Sequence, residues 1–174
     1  GSMELVRTDY KENPDYFIGN YYLDYANPQA RRYALNNHRH SLERGARGIS
    51  IDFCRYPHGL KNKEDGNAFM RELRSLADEY SSNSEKVEIL VRIPVPGCKN
   101  VRDQFDAETW VKEKLIDYLV PADFSGMPNY DIDAFVAITK NSPVKCLAGI
   151  DGLSAGPPMP GEVIRLADKY YNQG

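Results

Sequence analysis

The sequence is poor in the residues that build disulfide frameworks and metal centres. Its 174 residues include three cysteines and three histidines. Cys54, Cys98 and Cys146 show no CxxC spacing, and their odd number argues against a disulfide framework or a structural zinc site. Cys54 and Cys146 fall in or beside predicted strands, where small buried side chains are expected. We expect no metal site, and no motif indicates a cofactor.

The chain also lacks long apolar runs and a strong excess of charge. No run approaches the roughly 20 apolar residues that span a bilayer. Lysine and arginine number 22 against 25 acidic residues, a net charge of −3, and the basic residues are scattered. This distribution argues against a nucleic-acid surface. No leader peptide is visible, but Gly1-Ser2 is typical of a cloning remnant, so the location stays open and includes a secreted or periplasmic protein whose leader was removed.

Aromatic and aliphatic residues are plentiful by contrast. Hydrophobic residues make up 41% of the chain, and twelve of its residues are tyrosines. This length and composition predict one domain with a real core. We expect an irregular segment over residues 1–20 and the folded domain over residues 21–174. Tyrosine-rich loops suit sugar binding, since the ring packs on C–H bonds and the hydroxyl forms hydrogen bonds.

Hydrophobic periodicity predicts one helix followed by four strand–helix units. The first helix begins at Asn27-Pro28, a cap followed by proline at the first helical position, and Gly45 ends it. His38 and His40 lie two residues apart on this helix and are predicted to face solvent. The first predicted strand is bounded by Gly48 before and Pro57 after, and the other three are 87–93, 115–120 and 144–150. The helices after these strands are 64–80, 107–114, 130–140 and 161–171. This alternation predicts the α/β class with a parallel sheet.

Charged residues follow each predicted strand. Because parallel strands end at the same edge, these side chains are predicted to form the rim of an active site. The alternative is that loops are polar in any case, that Asp52 and Arg55 form a structural salt bridge, and that the other acids cap turns. The strand-end residues are Asp52, Arg55, Arg92, Asp123 and Asp151.

Six segments of the sequence carry a resemblance to known proteins: LDYANPQAR from Leu23, GISIDFCRYP from Gly48, VRIP from Val91, TWVK from Thr109, IDYLVP from Ile116, and the strand from Val144 to Asp151. Together these segments resemble the C-terminal part of the uncharacterised glycoside-hydrolase-like TIM-barrel proteins. The resemblance covers roughly residues 21 to 171. One departure is Lys112-Glu113-Lys114, where that family tends to have a glycine, and another is the short tract after Asp123.

The resemblance implies a (β/α)₈ barrel with a carbohydrate site on its C-terminal face. The four strands would be the fourth to seventh of that barrel. Because a full barrel needs about 250 residues, this chain would supply a partial barrel. Either it is a fragment of a longer protein, or the half-barrel closes by pairing with a second copy, most simply as a two-fold homodimer.

Glycoside hydrolysis usually uses two carboxyl groups about 5 to 9.5 Å apart. Asp52 is the predicted nucleophile or base, kept ionised by Arg55 or Arg92, and Asp123 is the predicted proton donor with Asp151 in reserve. Further residues are expected to contact sugar, whereas Trp110 lies within a predicted helix and is expected in the core. These contact residues are Asp24, Arg55, Tyr56, His58 and Arg92.

Two other functions are compatible with the sequence. An inactive or partial barrel would serve as a carbohydrate-binding or assembly module. A metal-dependent aldolase or amidohydrolase is the third reading, and its amidohydrolase version is disfavoured because no strand ends in an HxH pair.

Overall fold

The structure is a computed structural model that describes residues 10–19, 22–54, 59–95, 104–122, 130–150 and 159–174. Over these residues the chain is a mixed α/β protein with a four-stranded parallel sheet and flanking helices. The predicted class and the parallel direction of the sheet are therefore confirmed.

In the described residues, six strands form two sheets. A small antiparallel pair consists of β1 (Phe17–Ile18) and β2 (Tyr22–Leu23). The main sheet has the order β3-β4-β5-β6, which is also the order along the chain. Its strands are β3 (Gly48–Asp52), β4 (Glu88–Pro94), β5 (Tyr118–Ala122) and β6 (Lys145–Cys146).

Besides the helical residues 10–12 and the 3₁₀ turn Pro14–Tyr16, the described part of the chain contains five helices. Three of them begin at a residue whose side chain accepts a hydrogen bond from a backbone N–H of the first turn, namely Asn27, Asn62 and Asp106. Such caps satisfy donors that the helix itself leaves unpaired. The helices are α1 (Pro28–Glu43), α2 (Lys63–Glu79), α3 (Ala107–Lys112), α4 (Asp133–Thr139) and α5 (Pro160–Gln173).

One face of the sheet is covered by helices. Residues alternate along each strand, and the buried set of β3, β4 and β5 packs on α1, α2 and α3 in one continuous core. Helix α1 contacts α2, α2 contacts α3, and α3 contacts α4, so these four helices form a single layer. The strand residues in this core are Ile49, Ile51, Ile89, Val91, Ile93 and Leu119.

The opposite face carries a mixed set of side chains that are exposed or half-buried. Parallel sheets usually have both faces covered, because each crossover places a helix on the sheet. Here the strands follow one another in sequence order, so the crossover helices collect on one side. We call the other side the bare face, and its residues are Ser50, Asp52, Leu90, Arg92, Tyr118, Val120, Lys145 and Leu147.

The second half of the chain departs from the predicted boundaries. Lys114 has a positive φ of 57° and follows α3, so Leu115 and Ile116 turn into the core before β5 begins at Tyr118. The predicted helix from residue 130 begins only at Asp133, because Tyr130 is buried with its hydroxyl against the carbonyl oxygens of Pro121 and Gly149.

Charged groups join α2 to the amino-terminal edge of the sheet. Asp117 accepts hydrogen bonds from the guanidinium of Arg74 at 3.2 Å and from the backbone N–H of Ile89 at 2.8 Å, and it pairs with Lys86. Arg74 also donates to the carbonyl of Val87. This edge is opposite to the one where Asp52 lies. Among the described helices, none is long and apolar enough to cross a bilayer.

Candidate functional site

Asp52 is the last residue of β3 and lies at the carboxyl edge of the sheet. Its Oδ1 accepts the backbone N–H of Cys54 at 2.8 Å, and its Oδ2 accepts Nη1 of Arg92 at 3.0 Å. The two residues are register partners on neighbouring strands, which brings their side chains together on the bare face. The Asp52 side chain remains 53% exposed. Two hydrogen bonds therefore fix the orientation of the Asp52 carboxylate, and solvent or a ligand can still reach it.

A cavity of about 280 Å³ adjoins Asp52 at the free side of β3. Its lining combines a carboxylate, a hydroxyl, an imidazole and a phenol with apolar walls. The residues include Tyr25, His38, Ser50, Asp52 and Phe53. This set can hydrogen-bond a hydroxylated ligand and pack against its apolar surface.

The segment before α1 closes one side of this cavity. The backbone N–H of Tyr25 donates to the carbonyl of Gly59 at 3.1 Å, and the ring of Tyr25 packs edge-on against Phe69 at 4.8 Å. A side chain at Gly59 would overlap the carbonyl oxygen of Leu23, so only glycine permits this approach. Burial raises the pKa of Tyr25, which keeps its hydroxyl protonated as a donor.

His38 is half-buried and lines the cavity, so the prediction that it faces solvent is wrong. Burial lowers the pKa of His38, which favours a neutral imidazole that can accept one hydrogen bond and donate another. A sequence signal for this position exists: His38 is four residues after Ala34 and four before Leu42, and both are buried on α1. His40, by contrast, is exposed and pairs with Glu43.

The other residues predicted for the site fall into two groups. Asp24 lies in the described part: it pairs with Nζ of Lys61 at 2.8 Å and accepts the backbone N–H of Ala26, so it fixes the turn before α1. Asp24 does not line the cavity beside Asp52. The remaining residues lie outside the described residues, namely Arg55, Tyr56, His58, Asp123 and Asp151.

Trp110 is a core residue, as expected. It is fully buried, and its Nε1 donates to Oδ1 of Asn67 at 2.7 Å. Cys54 is buried, as predicted, and Cys146 is half-buried with a pKa that burial raises to about 11. Cys98 lies outside the described residues. Across the described ranges, no group of three His, Cys, Asp or Glu side chains is placed to hold a metal ion.

Comparison with known proteins does not assign the chain to a family. No profile of a known protein family matches the sequence, and no curated protein gives a significant match.

Proposed function

We propose that the protein is a glycoside hydrolase that uses carboxylates at the carboxyl ends of its parallel strands. The observation that supports this best is Asp52, a solvent-accessible carboxylate at that edge, held by Arg92 beside a cavity with polar and aromatic walls. In this proposal Asp52 is the nucleophile or base. Asp123, the residue directly after β5, is the proton donor, with Asp151 in reserve.

The roles follow from the chemistry of the bond. Cleavage requires a proton for the leaving oxygen and a carboxylate that attacks the anomeric carbon or activates water. Each Asp52 oxygen accepts one hydrogen bond and retains further acceptor capacity for substrate or water. Arg92 would orient Asp52, and Tyr25 and His38 would contact sugar hydroxyls.

The experiment compares the wild type with Asp52→Asn on a panel of aryl glycosides. We expect Asp52→Asn to lower kcat/KM by roughly 10² to 10⁴-fold, because asparagine can neither attack nor accept a proton. Asp168→Asn is the matched control, since Asp168 is an exposed aspartate of α5. Equal rates for the wild type and Asp52→Asn would refute the role given to Asp52.

We also propose that the sheet is part of a TIM barrel completed by a second copy of the chain. Four parallel strands in sequence order with helices on one side match half of such a barrel. Among the described residues, the exposed large hydrophobic side chains lie in two places. Some are on α5 or just before it, and one directly follows β6, which is an edge strand of the described sheet. They are Leu147, Met159, Val163, Ile164 and Tyr171.

A non-catalytic carbohydrate-binding or assembly module is the second candidate. The observation that favours it is that Asp52 already accepts one hydrogen bond at each oxygen, as a structural residue at a strand end would. This function predicts oligosaccharide binding or self-association, with hydrolysis of the aryl glycosides no faster than in buffer.

A further inference from the structure

A second polar concavity lies apart from the Asp52 cavity. It is a groove of about 350 Å³ between α1 and the turn Pro14–Tyr16. Four of its residues come from α1 at positions 29, 32, 33 and 36, a spacing that places them on one face of the helix. The lining is Asn13, Tyr16, Gln29, Arg32, Tyr33 and Asn36.

The groove combines two aromatic rings with several planar polar groups. The rings of Tyr16 and Tyr33 lie 5.9 Å apart and are tilted by 48°. Among the described residues, no hydrogen bond or ion pair involves the side chains of Asn13, Gln29, Arg32 or Asn36. Three amides and a guanidinium therefore present donors and acceptors around the rings.

One residue fixes the two walls relative to each other. Oδ1 of Asn27 accepts the backbone N–H of Gln29 at 2.9 Å, which caps α1. Nδ2 of the same side chain donates to the carbonyl of Asp15 at 2.9 Å, in the facing turn. The groove is thus arranged before any ligand enters, which reduces the entropy cost of binding.

We propose that this groove binds a pyranose unit of a neutral oligosaccharide. The ring faces suit the C–H surface of a sugar, and amide groups suit pairs of neighbouring hydroxyls. Among the described residues of the lining, Arg32 alone is charged, which is too little positive charge for a phosphate backbone. The described linings of the groove and of the cavity beside Asp52 have no residue in common, so this proposal does not depend on hydrolysis.

The experiment is a titration of ¹⁵N-labelled protein with cellohexaose, maltohexaose and mannohexaose at millimolar concentrations, followed by NMR. We expect at least one probe to shift the amide signals of Tyr16, Gln29 and Tyr33. Tyr33→Ala should weaken that binding by at least about tenfold through loss of ring contact. Asn37→Ala is the matched control, because Asn37 is exposed on α1 outside the groove lining and should leave binding unchanged.

A variant outside the lining guards against a folding artefact. Asn27→Asp retains an oxygen to cap α1 but loses the donor to Asp15, so it should bind the probe several-fold more weakly with an unchanged circular dichroism spectrum. The proposal is overturned if no probe shifts these signals, if the shifts lie elsewhere, or if Asn37→Ala weakens binding as much as Tyr33→Ala. Binding at the groove would persist in Asp52→Asn, which separates this outcome from the test of hydrolysis.

Discussion

The imidazole of His38 couples the stability of the fold to pH. Its pKa is lowered in the folded state by burial, whereas the unfolded chain has the ordinary value of about 6.5. As the pH falls through that value the unfolded state takes up a proton that the folded state resists, so the free energy of unfolding decreases.

We therefore expect the wild type to lose stability between neutral pH and pH 5 and His38→Leu to lose less over the same range. Urea denaturation at a series of pH values measures this difference. Asn37→Leu, at a neighbouring exposed position of α1, is the control, because it introduces leucine without removing an imidazole. A slope that is the same in His38→Leu and the wild type would contradict the assignment.

Gly59 permits the contact that closes the Asp52 cavity. A Cβ there would overlap the carbonyl oxygen of Leu23 and lie 3.0 Å from the ring of Tyr25. We expect Gly59→Ala to lower the free energy of unfolding by about 1 to 3 kcal/mol, the usual cost of overpacking. Gly161→Ala should be neutral or stabilising, because nothing lies within 4 Å of its Cβ position and alanine favours the helix. Thermal denaturation of both variants distinguishes a local clash from a general effect of replacing glycine.

At the scale of the elements, a buried hydrogen-bonded chain ties α2 to α3. Trp110 donates to Asn67, and Nδ2 of Asn67 donates to Oδ2 of Asp106 at 3.0 Å. Burial alone would raise the pKa of Asp106. The hydrogen bonds from Asn67 and Thr109 outweigh that effect and lower the pKa below its ordinary value. The cap of α3 and the largest core side chain therefore depend on one amide.

We expect Asn67→Leu to cost about 1 to 3 kcal/mol, because it leaves the buried indole N–H without an acceptor. Trp110→Phe removes that N–H, so the double variant should lose less stability than the sum of the two single variants. Chemical denaturation of the four proteins gives the coupling energy. Strict additivity would show that the hydrogen bond contributes nothing measurable.

The elements that the sequence predicted best have local signals at both ends. The first helix was predicted from Asn27-Pro28 to about Glu43 and occupies Pro28–Glu43, because a cap, a proline and Gly45 with its positive φ define it. The boundaries of β5 and α4 were missed because tertiary contacts decide them. Lys114 turns with a positive φ where a glycine would be the usual signal, and Tyr130 is drawn into the core.

The site was predictable only in part, for a similar reason. Strand ends brought together Asp52 and Arg92, since parallel register follows from the alternation of strands and helices. The cavity beside them was not foreseen, because it depends on the approach of Tyr25 to Gly59 across more than thirty residues of sequence. No local pattern encodes such a contact. The four-residue spacing of His38 from the buried Ala34 and Leu42 was a usable signal for His38, but it was not followed when His38 was predicted to face solvent.

At the scale of the whole molecule, the bare face and the exposed side chains around β6 and α5 predict self-association. Leu147 is 43% exposed directly after β6. We expect the wild type to be dimeric at micromolar concentration and Leu147→Lys to weaken the dimer by at least about tenfold, because it places a charge in an apolar contact. Ser75→Lys, on the exposed side of α2, should have no effect. Analytical ultracentrifugation gives the masses, and a monomeric wild type would exclude closure by a second copy.

The ionic tie around Asp117 has a consequence for engineering. The contacts of Asp117 connect α2 to the amino-terminal edge of the sheet, which is opposite the edge where Asp52 lies. The seven residues of β4 separate the two edges by roughly 20 Å. Substitutions that strengthen the contacts of Asp117 can raise thermal stability without changing the residues around Asp52. Thermostability and specificity could thus be evolved in separate libraries and combined afterwards with little interference.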